Sequence, residues 1–124
     1  MSRILYHNLD YGELFIFGNY VIAQINEGVV LKPENNDEMR DIILNHFTDK
    51  NWVYISNRTM EYTVNPITYL ETSKIDNLLG VCIITTSLIG KKTALFESKF
   101  YAKRFMVAST VLEAIEWASE VLGE

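Results

Sequence analysis

Two short polar stretches hold the residue types best suited to binding chemistry. One is Ser56-Asn57-Arg58, the other Thr85-Thr86-Ser87, and each directly follows an apolar run that reads as a strand. In open parallel sheets, ligands bind beyond the carboxyl ends of strands. The two strands are expected to be neighbours, which would bring the two stretches together. Asn65, before Pro66, and Ser87, before Leu88, each suit a helix N-cap. Their helices would then aim free backbone N–H groups at one edge. Arg58 supplies a planar fork matched to carboxylate or phosphate. Lys91 falls one turn into its helix. Ser56, Asn57, Arg58, Asn65, Thr85, Thr86, Ser87 and Lys91 are therefore the candidate site for a small anion or an acidic side chain of a protein partner. A plainer reading pairs Arg58 with Glu61 or Asp76 at the surface.

Other reactive residue types lack companions. The single cysteine, Cys82, lies in Leu78-Leu79-Gly80-Val81-Cys82-Ile83-Ile84. A thiol there is expected to pack as a small hydrophobe, because reactive thiolates need electropositive, partly exposed sites. His7 and His46 have no His, Cys, Asp or Glu at metal-ligand spacing, so no metal or other cofactor is expected. Asp37, Glu38 and Asp41 cluster at a helix start, where carboxylates favour the dipole. No G-x-S-x-G, phosphate-binding loop or dinucleotide fingerprint occurs. With no acid–base or nucleophile pair to name, an enzyme is not expected.

Bulk composition narrows the partners. The chain has 124 residues, the size of one domain, with 48% hydrophobic and 22% charged residues. Net charge is -5 and the eleven basic residues are scattered. Lys91-Lys92 and Lys103-Arg104 are the basic pairs, so the stripe needed to neutralise phosphates is missing and nucleic acid is not an expected partner. No apolar run reaches about 18 residues, so no transmembrane helix is expected. His7, Asn8, Asp10 and Glu13 interrupt any signal-peptide core. A cytoplasmic location is the simplest expectation. Seven Tyr, six Phe and two Trp leave a homodimer open.

The elements that would position the candidate site follow from periodicity. Glu13 to Phe17 and Tyr20 to Ile25 flank Gly18-Asn19, a pair that tolerates positive φ and predicts a tight hairpin. Gly28 predicts a bend near the end of the second strand. Asn35 with Glu38 resembles a capping box for a helix carrying Met39, Ile42, Ile43 and Phe47 and ending near Asp49. Trp52 to Ile55 reads as a strand and Ser56 to Thr63 as a loop. Asn65-Pro66 opens a short helix with Ile67, Leu70 and Ile75 on its buried face. Leu79 to Thr85 is a strand buried on both sides. Ser87 caps a helix to about Ala102, Phe105 to Ala108 is the last strand, and a final helix carries Val111, Leu112, Ile115, Ala118 and Leu122. After the hairpin, strands and helices alternate. This predicts an α/β domain with a mainly parallel sheet and right-handed crossovers.

The order of these elements resembles the SpoIIAA-like (STAS) fold over roughly residues 13 to 123. The segments that carry the resemblance are GVVLKPENNDEMRDIIL, STVLEAIEWASEVL and VYISNRTMEYTVNPITY. The resemblance implies two functions. Anti-sigma-factor antagonists of this fold bind a partner kinase and are switched by phosphorylation of a serine in an Asp-Ser-Ser-Gly-like motif. The matching stretch here is Thr63-Val64-Asn65-Pro66, which has neither serine nor glycine, with Thr63 the nearby hydroxyl. Related CRAL-TRIO domains bind lipid, and a mobile helix can open an apolar pocket. Here the counterpart is Leu88 to Ala102, which mixes Leu88, Ile89, Leu95, Phe96, Phe100 and Tyr101 with Lys91, Lys92 and Lys99. The leading expectation is a non-enzymatic binding or regulatory module with an unidentified protein partner. The alternative is a small-molecule or lipid carrier that meets membranes reversibly through helix 88–102.

Overall fold

Six strands form one sheet in strictly sequential order: β1 (Leu5–Leu9), β2 (Gly12–Ile16), β3 (Tyr20–Ile25), β4 (Trp52–Asn57), β5 (Leu78–Ile84) and β6 (Arg104–Ala108). This computed structural model describes residues 4–58 and 64–124. β1–β2 and β2–β3 are antiparallel; β3–β4, β4–β5 and β5–β6 are parallel. The parallel joints are bridged by α1 (Pro33–His46), α2 (Thr68–Thr72) and α3 (Leu88–Ser98). A sheet that grows in one direction through right-handed crossovers places every crossover helix on the same face. α4 (Val111–Leu122) follows the last strand and packs on the other face, over β4 and β5.

Alternation along the strands divides the core accordingly. Leu14, Ile16, Val21, Ala23, Ile25, Trp52, Val81 and Ile83 face the three-helix side with Met39, Ile43 and Phe47 of α1 and its cap. Val53, Ile55, Cys82, Ile84 and Ala108 face α4, where Ala114 and Ala118 allow close approach. Cys82 is fully buried, and burial pushes its thiol up to about 12, so it is a packing residue at neutral pH. No helix among the described residues is long and apolar enough to cross a membrane.

Several expected details shift. The sheet gains β1, whose Leu5, His7 and Leu9 face inward while Tyr6 and Asn8 face out. His7 and Asn8 hid this alternation. The Tyr6 and Phe15 rings meet across the β1–β2 pair at 5.2 Å. The β2–β3 turn closes through a Phe17 N–H donated to Tyr20 O at 2.8 Å, yet Asn19 does not take positive φ. Gly28 does, at φ 77°, in a turn that follows β3. α1 starts two residues before Asn35: Pro33 takes the first helical position, and the Asn35 side chain accepts the Lys32 N–H from inside the first turn. β4 runs through Ser56 and Asn57, which are strand residues and not loop residues. α2 buries Tyr69 instead of Ile67 and Leu70. α4 buries Ala114 and Ala118 and leaves Leu112 outside.

α3 begins as expected, with Ser87 Oγ accepting the Gly90 N–H at 2.9 Å. Gly90 is needed there. A Cβ at that position would stand 2.2 Å from Thr85 Oγ1 and 2.7 Å from Ser87 Oγ. Gly90→Ala removes helix-disfavouring glycine but overpacks this corner, so it is expected to lower unfolding stability by about 1–3 kcal/mol. Urea unfolding measures it; a stability equal to or above wild type would show that the corner can relax.

Candidate functional site

The eight sequence-derived candidates do not converge on one anion site. β4 and β5 are neighbours, and the ladder continues past them through Arg58 N–H donated to Ile84 O at 2.9 Å. The strand order never reverses, however, so the sheet has no switch-point crevice at its carboxyl ends. Alternation then separates the residues. Ser56 and Arg58 face the three-helix side, and Asn57 faces the other way. Thr85 is buried beneath Gly90, Ser87 caps α3, and Thr86 is exposed. Asn65 does not cap α2. Its side chain accepts the Ile67 N–H at 3.1 Å in the turn before it. Lys91 sits in the first turn of α3, with its N–H on Ser87 O. Thr63 and Glu61 lie outside the described residues.

The Arg58 fork is engaged from within the protein. Its Nη1 and Nη2 donate to Glu97 Oε2 and Oε1 at 2.8 and 2.6 Å, and Nη2 also reaches Tyr69 Oη at 3.2 Å. Tyr69 Oη donates to Glu97 Oε1 at 2.7 Å. The two ionic side chains are only 9% and 4% exposed. This triad ties the end of β4, α2 and α3 together. Sequence reasoning missed it because Glu97 sits beside Phe96, Ser98 and Lys99 and reads as a solvated helix residue. The available signal was Ala94, one turn earlier on the same face.

Burying Glu97 turns α3 inside out. Ala94 and Glu97 face the sheet, while Leu88, Ile89, Leu95 and Phe96 are 69%, 73%, 57% and 51% exposed. Positions 88, 89, 92, 95, 96 and 99 share one face at helical spacing. Lys92 and Lys99 are exposed on it, and Lys99 Nζ lies 5.8 Å from the Phe96 ring centre. These four apolar side chains do not pack on the sheet.

A concavity lies between α1 and α2 over β4 and β5. Its volume is about 330 Å³. Leu31, Met39, Ile43, Trp52, Leu78 and Val81 supply its apolar wall. Asp37 of α1 and Glu71 of α2, both exposed, mark its opening, and Arg58 stands at the β4 end. It does not lie under α3, where the carrier reading of the sequence placed a gap. Among the described residues, no group of His, Cys, Asp and Glu could hold a metal ion.

The triad has a measurable signature. A buried ion pair is weak net support, but breaking it by removing one partner strands a charge. Glu97→Leu is expected to lose about 3–5 kcal/mol of unfolding stability. Arg58→Met combined with Glu97→Leu is expected to regain most of that loss. Chemical denaturation of both variants decides it; a double variant no better than Glu97→Leu would mean that the pair is not the energetic unit.

No family model matches the sequence, and no curated protein matches it. Among solved structures, the chain is similar to an uncharacterised protein of the DUF3478 family from Shewanella loihica with a SpoIIAA-like fold. The likeness has a TM-score of 0.61 and 13% sequence identity, and it covers 94% of this chain and 93% of that one. With its N-terminal antiparallel strands, sequential parallel crossovers and closing helix, this chain has the SpoIIAA-like fold.

Proposed function

We infer that this protein is a non-enzymatic binding module that holds a small, uncharged, mainly apolar molecule in the α1–α2 cavity. The observation that carries this reading is the cavity itself. About 330 Å³ is within the range of small-molecule sites, and such sites combine apolar walls with few polar groups. Charge argues for a neutral occupant. Arg58 is compensated by Glu97, Arg40 pairs with Asp37, and the opening carries the acidic Glu71. A module that engages a protein partner through the strand-end loops is the rival reading. It has exposed Thr86 and Ser87 at the α3 end but no converging set of side chains among the described residues.

The neutral fluorophore N-phenyl-1-naphthylamine tests the reading. It is expected to bind with enhanced emission, and to lose at least tenfold in affinity when Thr72→Phe narrows the cavity from its α2 side. Binding that ignores Thr72→Phe, or no binding by any uncharged apolar probe, would overturn it.

A specific observation favours a second, compatible property: reversible contact with a membrane surface through α3. The exposed Leu88, Ile89, Leu95 and Phe96, with Lys92 and Lys99 among them, form an apolar stripe flanked by cations on a chain of net charge -5. Interfacial helices combine such a stripe with lysines that meet anionic lipid. Sedimentation with phosphatidylglycerol vesicles is expected to carry the protein down. Leu95→Glu with Phe96→Glu is expected to abolish this without loss of folding, since both side chains are already in solvent. Equal binding by wild type and the double variant would end this reading.

A further inference from the structure

We propose that the outer edge of β6, with the flank of α3 above it, binds an extended acidic segment of a partner protein as an added strand. β6 ends the sheet, and no strand among the described residues pairs with its far side. The Thr85 N–H is donated to Ala108 O at 3.0 Å, so Ala108 turns its backbone groups toward β5. Alternation does the same for Met106 and Arg104, and it turns the N–H and C=O of Phe105 and Val107 outward. These four outward groups have no hydrogen bond among the described residues. β6 has no proline, and its ladder with β5 runs without a bulge, so the edge is an open template for pairing. α3 packs beside it. Ala94 faces the sheet, and Glu97 reaches toward Arg58 of β4 and Tyr69 of α2, away from the open edge. Leu88, Lys91, Leu95 and Lys99 recur at helical spacing on the opposite side of α3, above β6.

Charge selects the occupant. Residues 88–108 hold five of the eleven basic residues of the chain: Lys91, Lys92, Lys99, Lys103 and Arg104. The one acid in this stretch, Glu97, is buried against Arg58. Arg104 is exposed on the α4 side of β6, with its guanidinium 6.0 Å from the Trp117 ring centre, so cations stand on both sides of the edge. A chain of net charge -5 thus gathers positive charge along one strand edge. Lys and Arg at an edge keep copies of the same chain from pairing there. Two copies joined at β6 would bring both sets of cations together, which disfavours a second copy. A strand carrying Asp or Glu reverses that sign. In strand addition, main-chain bonds give affinity and alternate side chains give specificity. Here Leu88 and Leu95 would cover the apolar side chains of the added strand. Membrane contact uses apolar residues of α3 but none of the β6 backbone, so the two properties separate experimentally.

The probe is a blocked seven-residue peptide of alternating valine and glutamate, compared with one of alternating valine and lysine. Both are titrated into the full 15N-labelled chain. In the free protein the Phe105 and Val107 amides are expected to exchange quickly with solvent, and those of Met106 and Ala108 slowly. The glutamate peptide is expected to slow exchange at Phe105 and Val107 and to move both amide protons downfield. The lysine peptide is expected to bind at least tenfold more weakly. Val107→Pro removes an outward N–H without removing a bond to β5, at a position where an edge strand accepts proline. It is expected to weaken the glutamate peptide about tenfold, the size of one net hydrogen bond, and to leave sedimentation with phosphatidylglycerol vesicles unchanged. No binding of the glutamate peptide, binding without protection at Phe105 and Val107, or equal binding of the two peptides would overturn the proposal. So would protection of these amides that grows with protein concentration alone, which would assign the edge to a second copy. The exchange measurement uses the unaltered chain, so it decides even if Val107→Pro does not fold.

Discussion

The direction in which the sheet grows governs everything else in this molecule. Each parallel strand is added on the same side of the previous one, and each crossover is right-handed, so α1, α2 and α3 must share one face. Three helices in a row can seal a sheet only if the middle one is long enough. α1 has 14 residues and α3 has 11, but α2 has five. At 1.5 Å per residue, α2 is a little over one turn and cannot cover β4 and β5 along their length. The cavity is the uncovered strip. The same non-reversing order removes the strand-end crevice that doubly wound sheets use. Topology thus moves the plausible site from the strand ends to the gap between α1 and α2.

A second decision is made by Glu97. In most surface helices an apolar stripe selects the buried face. In α3 the inward positions are Ala94 and Glu97, and Arg58 and Tyr69 satisfy the carboxylate. Leaving four large apolar side chains in water forgoes burial worth about 1.5 kcal/mol or more for each. A stabilising ion pair does not by itself offset that loss, because desolvation cancels much of its attraction. The arrangement is therefore poor as a stability device, which fits the membrane contact proposed for the outer face of α3.

The fold was legible because its signals are local. Alternating apolar runs located β2 to β6, and Ser87 marked the start of α3 through capping. β1 was lost because His7 and Asn8 diluted a five-residue strand. The site was hardly legible, for a different reason. Its members are near in space and far in sequence: Trp52 and Tyr69 are brought together by a crossover, and Arg58 and Glu97 by two. Arg58 reads as a fork for a carboxylate, but the carboxylate it holds lies 39 residues away on a helix whose amphipathic pattern points the other way. Ser56 and Asn57 read as loop residues because polar residues at a strand end look alike whether or not the ladder continues. The backbone bond from Arg58 to Ile84 O is what keeps them in the sheet.

What keeps the gap open is polar pinning on both flanks. A short helix beside an apolar strip should collapse onto it, since closing 330 Å³ of apolar space is favourable. α2 is not free to do so. Tyr69 Oη is held by Glu97 at 2.7 Å, and Ser73 Oγ accepts the Ala102 N–H at 3.0 Å, which fastens α2 to the chain after α3. On the opposite side, Asn77 Nδ2 donates to Phe47 O and Lys50 O at 2.7 and 2.8 Å, locking the α1 end to the loop before β5. Moving α2 toward α1 would break the first pair of bonds, and at the buried one, Tyr69 to Glu97, each polar group left behind would cost about 1–3 kcal/mol. Directional bonds thus oppose the non-directional pull of burial. The wall between them is mostly apolar. A cavity maintained in this way is a part of the fold's design and not a packing fault, because relaxation of the helices cannot remove it without dismantling the contacts that order them.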